Sequence, residues 1–190
     1  MPRHRDAQGT QMLLAGIVDH VLSDGISDLS LRPLGRAGGV SPRTLLYHFG
    51  SKDALVLAII EEARKRQRGL LESWLRRSAE YDVGTLLLGA WRWLSAPRND
   101  RFFRLFFETY GVGIQHRRRY GAFLKGAADD WIEFFRKLLV TGGVENDRAA
   151  NLATILVAVT RGLLLDLLAT GDRARCDRAF RSFVTAIELP

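Results

Sequence analysis

The sequence predicts an all-α protein, in which a three-helix N-terminal unit is joined to a larger helical bundle. Apolar residues recur at intervals of three and four, as on one face of a helix. Gly and Pro separate these segments, and no alternating run of β-branched residues bounded by turns is found. A chain of 190 residues, 47% hydrophobic and 26% charged, is long enough to bury a core without disulfides or a structural metal.

Two helices are predicted at the start of the chain. The first runs over residues 6–23, where one face carries Leu13, Leu14, Ile17, Val18, Val21 and Leu22. Asp24 and Gly25 end it. Ser30 is a good N-cap for a second helix to about Ala37, since Pro33 lies in its first turn, where a missing N–H does no harm.

Two further helices complete the N-terminal pattern. Gly38 and Gly39 break the chain. Ser41 then caps a third short helix. Ser51 opens a fourth and longer helix that continues over residues 52–78.

The rest of the chain predicts a bundle of five helices. Their approximate ranges are 83–96, 100–110, 120–141, 146–170 and 173–187. The breaks between them fall at Pro97 with Asn99, Gly111 with Gly113, Gly142 with Gly143, and Gly171, because these residue types interrupt helices.

Residues 30–49 have the layout of a helix-turn-helix. Gly39 supplies the positive φ that the turn requires, and Val40 fills the corner. Leu45 and Phe49 face back onto the core. The outward positions, which would meet a major groove and its flanking phosphates, are Pro42, Arg43, Thr44, Leu46 and Tyr47.

The stretches AGGVS at residues 37–41 and TLLYHFGSKDAL at residues 44–55 resemble the signature of the TetR family of transcriptional regulators. The resemblance covers roughly residues 7–67. It implies a homodimer in which residues 7–67 form a DNA-binding head, while residues 68–190 form a helical body that binds a small ligand and makes the dimer.

The resemblance also implies roles for individual residues. Tyr47 and His48 occupy positions that usually touch the phosphate backbone, and Lys52 corresponds to a common phosphate contact at a helix N-terminus. The chain departs from the family at Arg43, where Gly is frequent, and at Leu46, where a DNA-touching Tyr is frequent. Arg43 can pair with guanine, and Leu46 offers apolar contact to a thymine methyl.

Some of these positions have a second reading. Arg32 and Arg36 either position the DNA backbone or are solvated surface arginines. His48 is either a phosphate contact or a packed histidine at a helix end. Arg3, His4 and Arg5 either reach an adjacent groove or belong to a terminus without a fixed structure.

Aromatic residues cluster in the body, and two interpretations fit them. Helical bundles need bulky core residues, but the paired spacing of Phe102, Phe103, Phe106 and Phe107 gives one helix an unusually wide aromatic face. A ligand cavity for a hydrophobic or planar effector is the second interpretation. Its candidate lining residues are Trp91, Phe103, Phe106, Phe107, Tyr110 and Trp131, and its candidate polar groups are Arg92, Arg104, Glu108 and Asp166.

Residues 146–187 predict a dimer seam. The helix at 146–170 is apolar nearly all round, so it needs burial on more than one side. The alternative is a helix central to a monomer. Arg161 and Asp166 are costly within an apolar helix unless they are paired, and we expect partners for both, across the seam or with a ligand.

Composition excludes several classes. Lys and Arg number 28 against 21 Asp and Glu, giving a charge of +7 that favours an anionic partner. Cys176 is the single cysteine, which excludes a disulfide framework and suits the cytoplasm. We expect no signal peptide, no membrane span, no cofactor and no metal. The four histidines are too scattered for a catalytic or metal cluster, so no enzyme is expected.

The sequence therefore predicts a ligand-responsive DNA-binding regulator, most simply a repressor released from its operator by a small hydrophobic effector. The main alternative is a helical small-molecule carrier or protein-interaction module whose helix-turn-helix no longer reads an operator. A constitutive DNA-bending protein without a ligand is the third.

Overall fold

A computed structural model describes residues 7–23, 30–77, 81–187 and 189. Every regular element in these residues is a helix. The chain divides into two compact units, Met1–Arg68 and Gly69–Pro190.

The N-terminal unit contains α1 (Ala7–Ser23), α2 (Leu31–Ala37), α3 (Pro42–Phe49) and the first part of α4 (Lys52–Arg77). Its core is aliphatic and fully enclosed, and includes Ile17, Val18, Leu34, Leu45, Leu55 and Ile59. Asp6, where the sequence predicted the start of α1, and Ser78, the predicted end of α4, lie outside the described residues.

Local signals explain the short helices of this unit. Ser41 is extended, and its Oγ accepts from the N–H of Thr44 at 3.1 Å, so it caps α3 as predicted. Ser30 is also extended, but its side chain makes no capping hydrogen bond. Ser30 is therefore the N-cap residue of α2, as predicted, but only its backbone oxygen takes part, accepting from the N–H of Leu34 at 3.3 Å.

The second unit contains α5 (Val83–Leu94), a 3₁₀ turn (Pro97–Asn99), α6 (Asp100–Gln115), α7 (Arg117–Thr141), α8 (Asn146–Thr170) and α9 (Arg173–Ala186). Helix α8 packs mainly against α7, and α9 packs against α5 and α8. The large buried residues of this unit include Leu87, Phe102, Leu139, Leu156 and Phe180.

The predicted break at Gly111 and Gly113 is wrong, because α6 continues to Gln115 and the chain turns at His116, with φ −122° and ψ 48°. Gly113 instead serves packing between α6 and α7. A Cβ there would lie 3.1 Å from Cδ2 of Leu124 and 3.3 Å from Cβ of Tyr120. The absent side chain lets the two helices approach closely.

Candidate nucleic-acid interface and effector cavity

The turn between α2 and α3 is built on two glycines. Gly39 has φ 64°, as predicted. The N–H of Val40 donates to the carbonyl of Gly35 at 2.9 Å, and a Cβ on Gly35 would lie only 2.7 Å from the Val40 carbonyl oxygen. Gly35 therefore permits the close turn. The sequence reasoning missed it, although a glycine inside a seven-residue helix was the available signal.

One face of α3 is exposed, and the opposite face is anchored in the core. Leu45 is fully buried, whereas Pro42 and Arg43 are exposed. Leu46 and Tyr47 are 39% and 47% exposed, high values for large apolar side chains in a compact unit. This exposure is what a surface that contacts another molecule requires.

Thr44, which the sequence predicted to face outward, is half-buried, and so is His48, which was predicted to be either a phosphate contact or a packed histidine. The hydroxyl of Thr44 lies 2.9 Å from Oγ of Ser41 and so belongs to the helix cap. Nδ1 of His48 lies 2.8 Å from the hydroxyl of Thr10 on α1. The ring of His48 also meets that of Tyr47 edge to face, with centroids 5.3 Å apart. His48 thus fixes the end of α3 against α1.

Cationic side chains surround this surface. Arg32 and Arg36 are exposed and line a shallow open concavity together with Pro42. Lys52 is exposed at the first position of α4, just after Ser51, whose Oγ accepts from the N–H of Ala54 at 3.1 Å. A positive charge beside a helix N-terminus, where free N–H groups lie, can hold an anion such as a DNA phosphate.

The second unit has an aromatic cavity of its own. It has a volume of about 30 Å³ and is lined by Leu94, Phe102, Phe103, Phe106, Trp131, Phe135, Val157, Thr160, Arg161 and Leu164. This volume accommodates a water molecule, but sites for drug-sized molecules are roughly 300–1,000 Å³. The aromatic cluster is therefore mostly packed core around a small void.

The structure brings three of the predicted ligand residues to this cavity and leaves three outside it. Phe103, Phe106 and Trp131 line it. Phe107 and Tyr110 pack against Phe106, with centroids 5.4 and 5.6 Å away, but do not line the void.

Trp91 lies in a different part of the second unit. Its ring stacks on Phe180 with a centroid distance of 4.9 Å. Its indole N–H donates to the Asp177 carboxylate at 2.7 Å. Only 2% of the side chain is exposed, so in this structure Trp91 packs α5 against α9 and is absent from the cavity.

The polar groups of the cavity also differ from those considered in the sequence. Arg92, Arg104 and Glu108 are exposed and do not line it. Thr160 and Arg161, side by side in α8, do. The sequence reasoning did not single out Thr160, although a polar pair in the most apolar helix of the chain was the signal available.

Arg161 and Asp166, the two charged residues in the apolar part of α8, both have partners within the subunit. Arg161 donates through Nη2 to the backbone oxygen of Ala127, and its guanidinium carbon lies 5.5 Å from the ring centroids of Phe106 and Tyr110. Asp166 pairs with Arg175 at 2.6 Å. That hydrogen bond holds the pKa of the Asp166 carboxyl below its usual value.

Within the described part of the chain, no group of three or more His, Cys, Asp or Glu side chains could hold a metal ion. Burial raises the pKa of the Cys176 thiol, which disfavours the reactive thiolate. By length and composition alone, α8 is long and apolar enough to cross a membrane. Of its most apolar 18-residue segment, 33% is buried within the subunit.

Comparisons with known proteins agree with this architecture. Residues 20–59 match the family model described as bacterial regulatory proteins, tetR family. No curated protein sequence matches the chain. The solved structure of the multidrug binding protein EbrR complexed with ethidium is similar at 24% identity, covering 96% of this chain and 99% of that chain, with a TM-score of 0.68.

Two further solved structures are similar over nearly their whole length. A TetR-family transcriptional regulator from Cytophaga hutchinsonii has 16% identity, 98% and 96% coverage of this chain and that chain, and a TM-score of 0.75. A putative transcriptional regulator from Saccharomonospora viridis in complex with choline has 19% identity, 95% coverage of each chain and a TM-score of 0.64. These findings confirm the predicted all-α fold and the predicted resemblance to the TetR family.

Proposed function

We propose that this chain, whose N-terminal unit matches the TetR family, is a cytoplasmic, ligand-responsive repressor of transcription. It binds its operator as a homodimer and leaves it when a small effector occupies the second unit. The observation that carries the proposal is the exposed face of α3. Arg43, Leu46 and Tyr47 project from this helix, which Leu45 and the Ser41 cap hold in place.

Two side chains of α3 have the chemistry to read bases. A guanidinium can donate two parallel hydrogen bonds to guanine, and an aliphatic side chain can pack on a thymine methyl. Arg43 is exposed in the first turn of α3, and Leu46 is 39% exposed three residues later. Residues three apart lie on the same face of a helix, so both would meet one stretch of the major groove.

Other side chains of this unit have the chemistry to position DNA. Lys52 and Arg32 are exposed cations, and the hydroxyl of Tyr47 can donate to a phosphate oxygen. Such contacts set register and supply much of the affinity, but they carry no sequence information. We assign His48 the same role, with its ring oriented by Thr10. Pro42 and Thr44 begin the helix and shape its approach.

Helix α8 supports a homodimer. Its outer face carries Ile155 and Leu165, which are 47% and 52% exposed, with Ala158 and Gly162 exposed between them. These residues recur at intervals of three and four, so they form one stripe along the helix. Small residues at its centre allow close approach of a second helix, and we assign the seam to residues 146–187.

The second unit supports a response to ligand. EbrR was solved with ethidium and the Saccharomonospora viridis protein with choline, which supports small-molecule binding by this fold. The 30 Å³ cavity must widen to admit such a molecule. A ligand that binds only the widened form shifts the population toward it. The same reasoning disfavours the carrier alternative, since a carrier is expected to have a preformed pocket.

The test is selection of bound fragments from a random duplex library with the full chain, followed by affinity measurements on the selected site and on a scrambled duplex. We expect one enriched site with two half-sites. Arg43→Ala and Leu46→Ala should each reduce discrimination by about 1–3 kcal/mol. Arg104→Ala, an exposed arginine of the second unit, is the matched control. If these variants lose affinity equally for the selected and the scrambled duplex, Arg43 and Leu46 do not read bases, and the carrier alternative is favoured.

A further inference from the structure

The wall of the second unit's cavity is mostly flat and apolar. Apart from Thr160 and Arg161, the described residues that line it are Leu94, Phe102, Phe103, Phe106, Trp131, Phe135, Val157 and Leu164. The rings of Phe102 and Phe106 lie 6.2 Å apart at 29°, and those of Trp131 and Phe135 lie 6.2 Å apart at 31°. Because aromatic groups gain from offset stacking and edge contacts in addition to burial, such a wall favours a flat aromatic occupant.

Thr160 brings a hydroxyl group to this wall. The residue is 6% exposed, and its Oγ1 is buried without a hydrogen-bond partner in the described part of the chain. Elsewhere in α8, Thr154 and Thr170 donate to carbonyl oxygens one turn earlier, at 3.1 and 2.8 Å, as threonine in a helix can. An unsatisfied hydroxyl beside a cavity costs free energy, which a hydrogen-bonding atom of a ligand would recover.

Arg161, the other polar residue of the wall, already has partners within the subunit. Its Nη2 donates to the backbone oxygen of Ala127, and its guanidinium lies over the rings of Phe106 and Tyr110. A neutral ligand can bind while these contacts stay in place. An anion would have to draw the guanidinium away from them, and an ion of either sign would lose its hydration on entering an apolar cavity. The wall therefore selects against charge.

We infer that the effector is an uncharged aromatic molecule with a hydrogen-bonding oxygen. Its ring lies among Phe102, Phe106 and Trp131, and Thr160 is the residue that selects for the oxygen. A threonine hydroxyl both donates and accepts, so a phenol, an alcohol or a carbonyl group would satisfy it. This inference rests on the proposed function, because it names the chemistry of the ligand in the same site.

The size of the cavity makes binding and structural change the same event. At about 30 Å³ the void holds a water molecule but no aromatic ring. Entry of a ring must therefore move apart the lining side chains of α6, α7 and α8. The ligand thus selects a form in which these helices are repacked, which is the change that a ligand response requires.

The experiment compares four probes that share the naphthalene ring system. They are 2-naphthol, which is uncharged near neutral pH because a phenol titrates far above it, 2-methylnaphthalene, which has nearly the same shape without the hydroxyl, the anion 2-naphthoate and the cation 2-naphthylmethylammonium. Equilibrium dialysis against the full-length protein measures each affinity. We expect both charged probes to bind about tenfold or more weakly than 2-naphthol, because each would lose its hydration in the cavity.

Variants assign the hydrogen bond to Thr160. Thr160→Val keeps the shape of the side chain and should weaken 2-naphthol about tenfold, because the buried phenol is left without a partner. The same variant should bind 2-methylnaphthalene at least as tightly as the unmodified chain does, which also shows that it folds. Thr160→Ser should restore 2-naphthol binding. Thr109→Val is the matched control and should change neither affinity, because Thr109 also buries an unpartnered hydroxyl but does not line the cavity.

Three outcomes would overturn the inference: a charged probe binds as tightly as 2-naphthol, Thr160→Val weakens 2-naphthol and 2-methylnaphthalene equally or not at all, or none of the probes binds up to its solubility limit. A DNA-release assay separates this inference from the proposed function. Release of the selected duplex by a charged probe alone would support the function and overturn the inference. Binding of 2-naphthol through Thr160 without release would support the cavity chemistry and overturn the ligand response.

Discussion

Thr10 of α1 and His48 of α3 are joined side chain to side chain, with 2.8 Å between Oγ1 and Nδ1. The two residues are 38 positions apart, so this contact ties the exposed helix of the N-terminal unit to the first helix of the chain. It orients the His48 ring and fixes the end of α3 opposite the cap at Ser41. The proposed DNA-reading helix is therefore held at both ends.

Loss of this contact should change affinity more than specificity. Thr10→Val removes the hydroxyl while keeping the shape of the side chain, and should lower the free energy of unfolding by about 1 kcal/mol. Affinity for the selected site and for a scrambled duplex should fall together, because the helix shifts while its base-reading residues remain. Calorimetry and anisotropy measure the two effects. Met12→Ala, at a 70% exposed position of α1, is the control. An unchanged melting temperature would contradict the role given to this contact.

Lys52 should act through phosphate alone. Lys52→Ala is expected to weaken binding to every duplex by a similar factor, and to reduce by about 1 the slope of log affinity against log salt. The measurement is anisotropy with the selected and scrambled duplexes at several salt concentrations. Lys137→Ala, a similarly exposed lysine of the second unit, should leave the slope unchanged. A loss confined to the selected duplex would give Lys52 a part in base reading instead.

Local signals predicted the N-terminal unit well, and packing between distant segments explains what was missed. Ser41, Pro42 and Gly39 act on neighbouring backbone, so their effects follow from the sequence itself. Gly113 does not interrupt α6. Its role is to leave room for Tyr120 and Leu124 of the next helix. In a linear sequence such a glycine resembles a helix breaker.

The same distinction applies to the cavity. Trp91 and Phe103 are equally aromatic in the sequence, but only the fold shows that Trp91 stacks on Phe180 whereas Phe103 lines the void. Thr160 acquires significance only because the fold buries its hydroxyl without supplying a hydrogen-bond partner. Burial and missing partners are properties of the packed molecule, which periodicity cannot supply.

Substitution of two glycines of α6 tests whether the close packing of α6 against α7 requires Gly113. Gly111→Ala should raise the free energy of unfolding by about 0.5–1 kcal/mol, because a Cβ there meets nothing within 4 Å and alanine favours helix. Gly113→Ala should gain less or destabilise, since its Cβ would press on Leu124 and Tyr120. Chemical denaturation of both variants is the measurement. Equal stabilisation by both would show that close packing of α6 and α7 does not require Gly113.

The Asp166–Arg175 pair should make stability depend on pH. The pKa of Asp166 is lower when folded than its ordinary value of 3.8, so the pair stabilises the fold above that value and the stabilisation is lost as pH falls through the folded pKa. Asp166→Asn should therefore lower the melting temperature at pH 7, and the difference from the unmodified chain should shrink toward zero in strong acid. Arg175→Gln should show the same trend. A constant difference between pH 7 and pH 2 would contradict this account.

The dimer seam can be tested with another pair of glycines. A Cβ at Gly162 of α8 or at Gly121 of α7 would meet nothing within 4 Å in the subunit, so we expect the subunit to accept glutamate at either position. Gly162→Glu should convert the dimer to monomer by placing charge in the proposed seam, whereas Gly121→Glu should leave the dimer intact. Sedimentation velocity distinguishes the two species. A dimeric Gly162→Glu variant would place the seam elsewhere.

Under the proposed function, α3 reads a specific operator and a ligand in the second unit ends that reading. Footprinting of the full chain on the DNA upstream of its own gene, at low salt and with candidate small hydrophobic compounds added in steps, measures operator binding and its loss in one experiment. We expect protection of two half-sites about one helical turn or a multiple of it apart, and loss of that protection as an effector is added. Protection no stronger than on a scrambled fragment would contradict it.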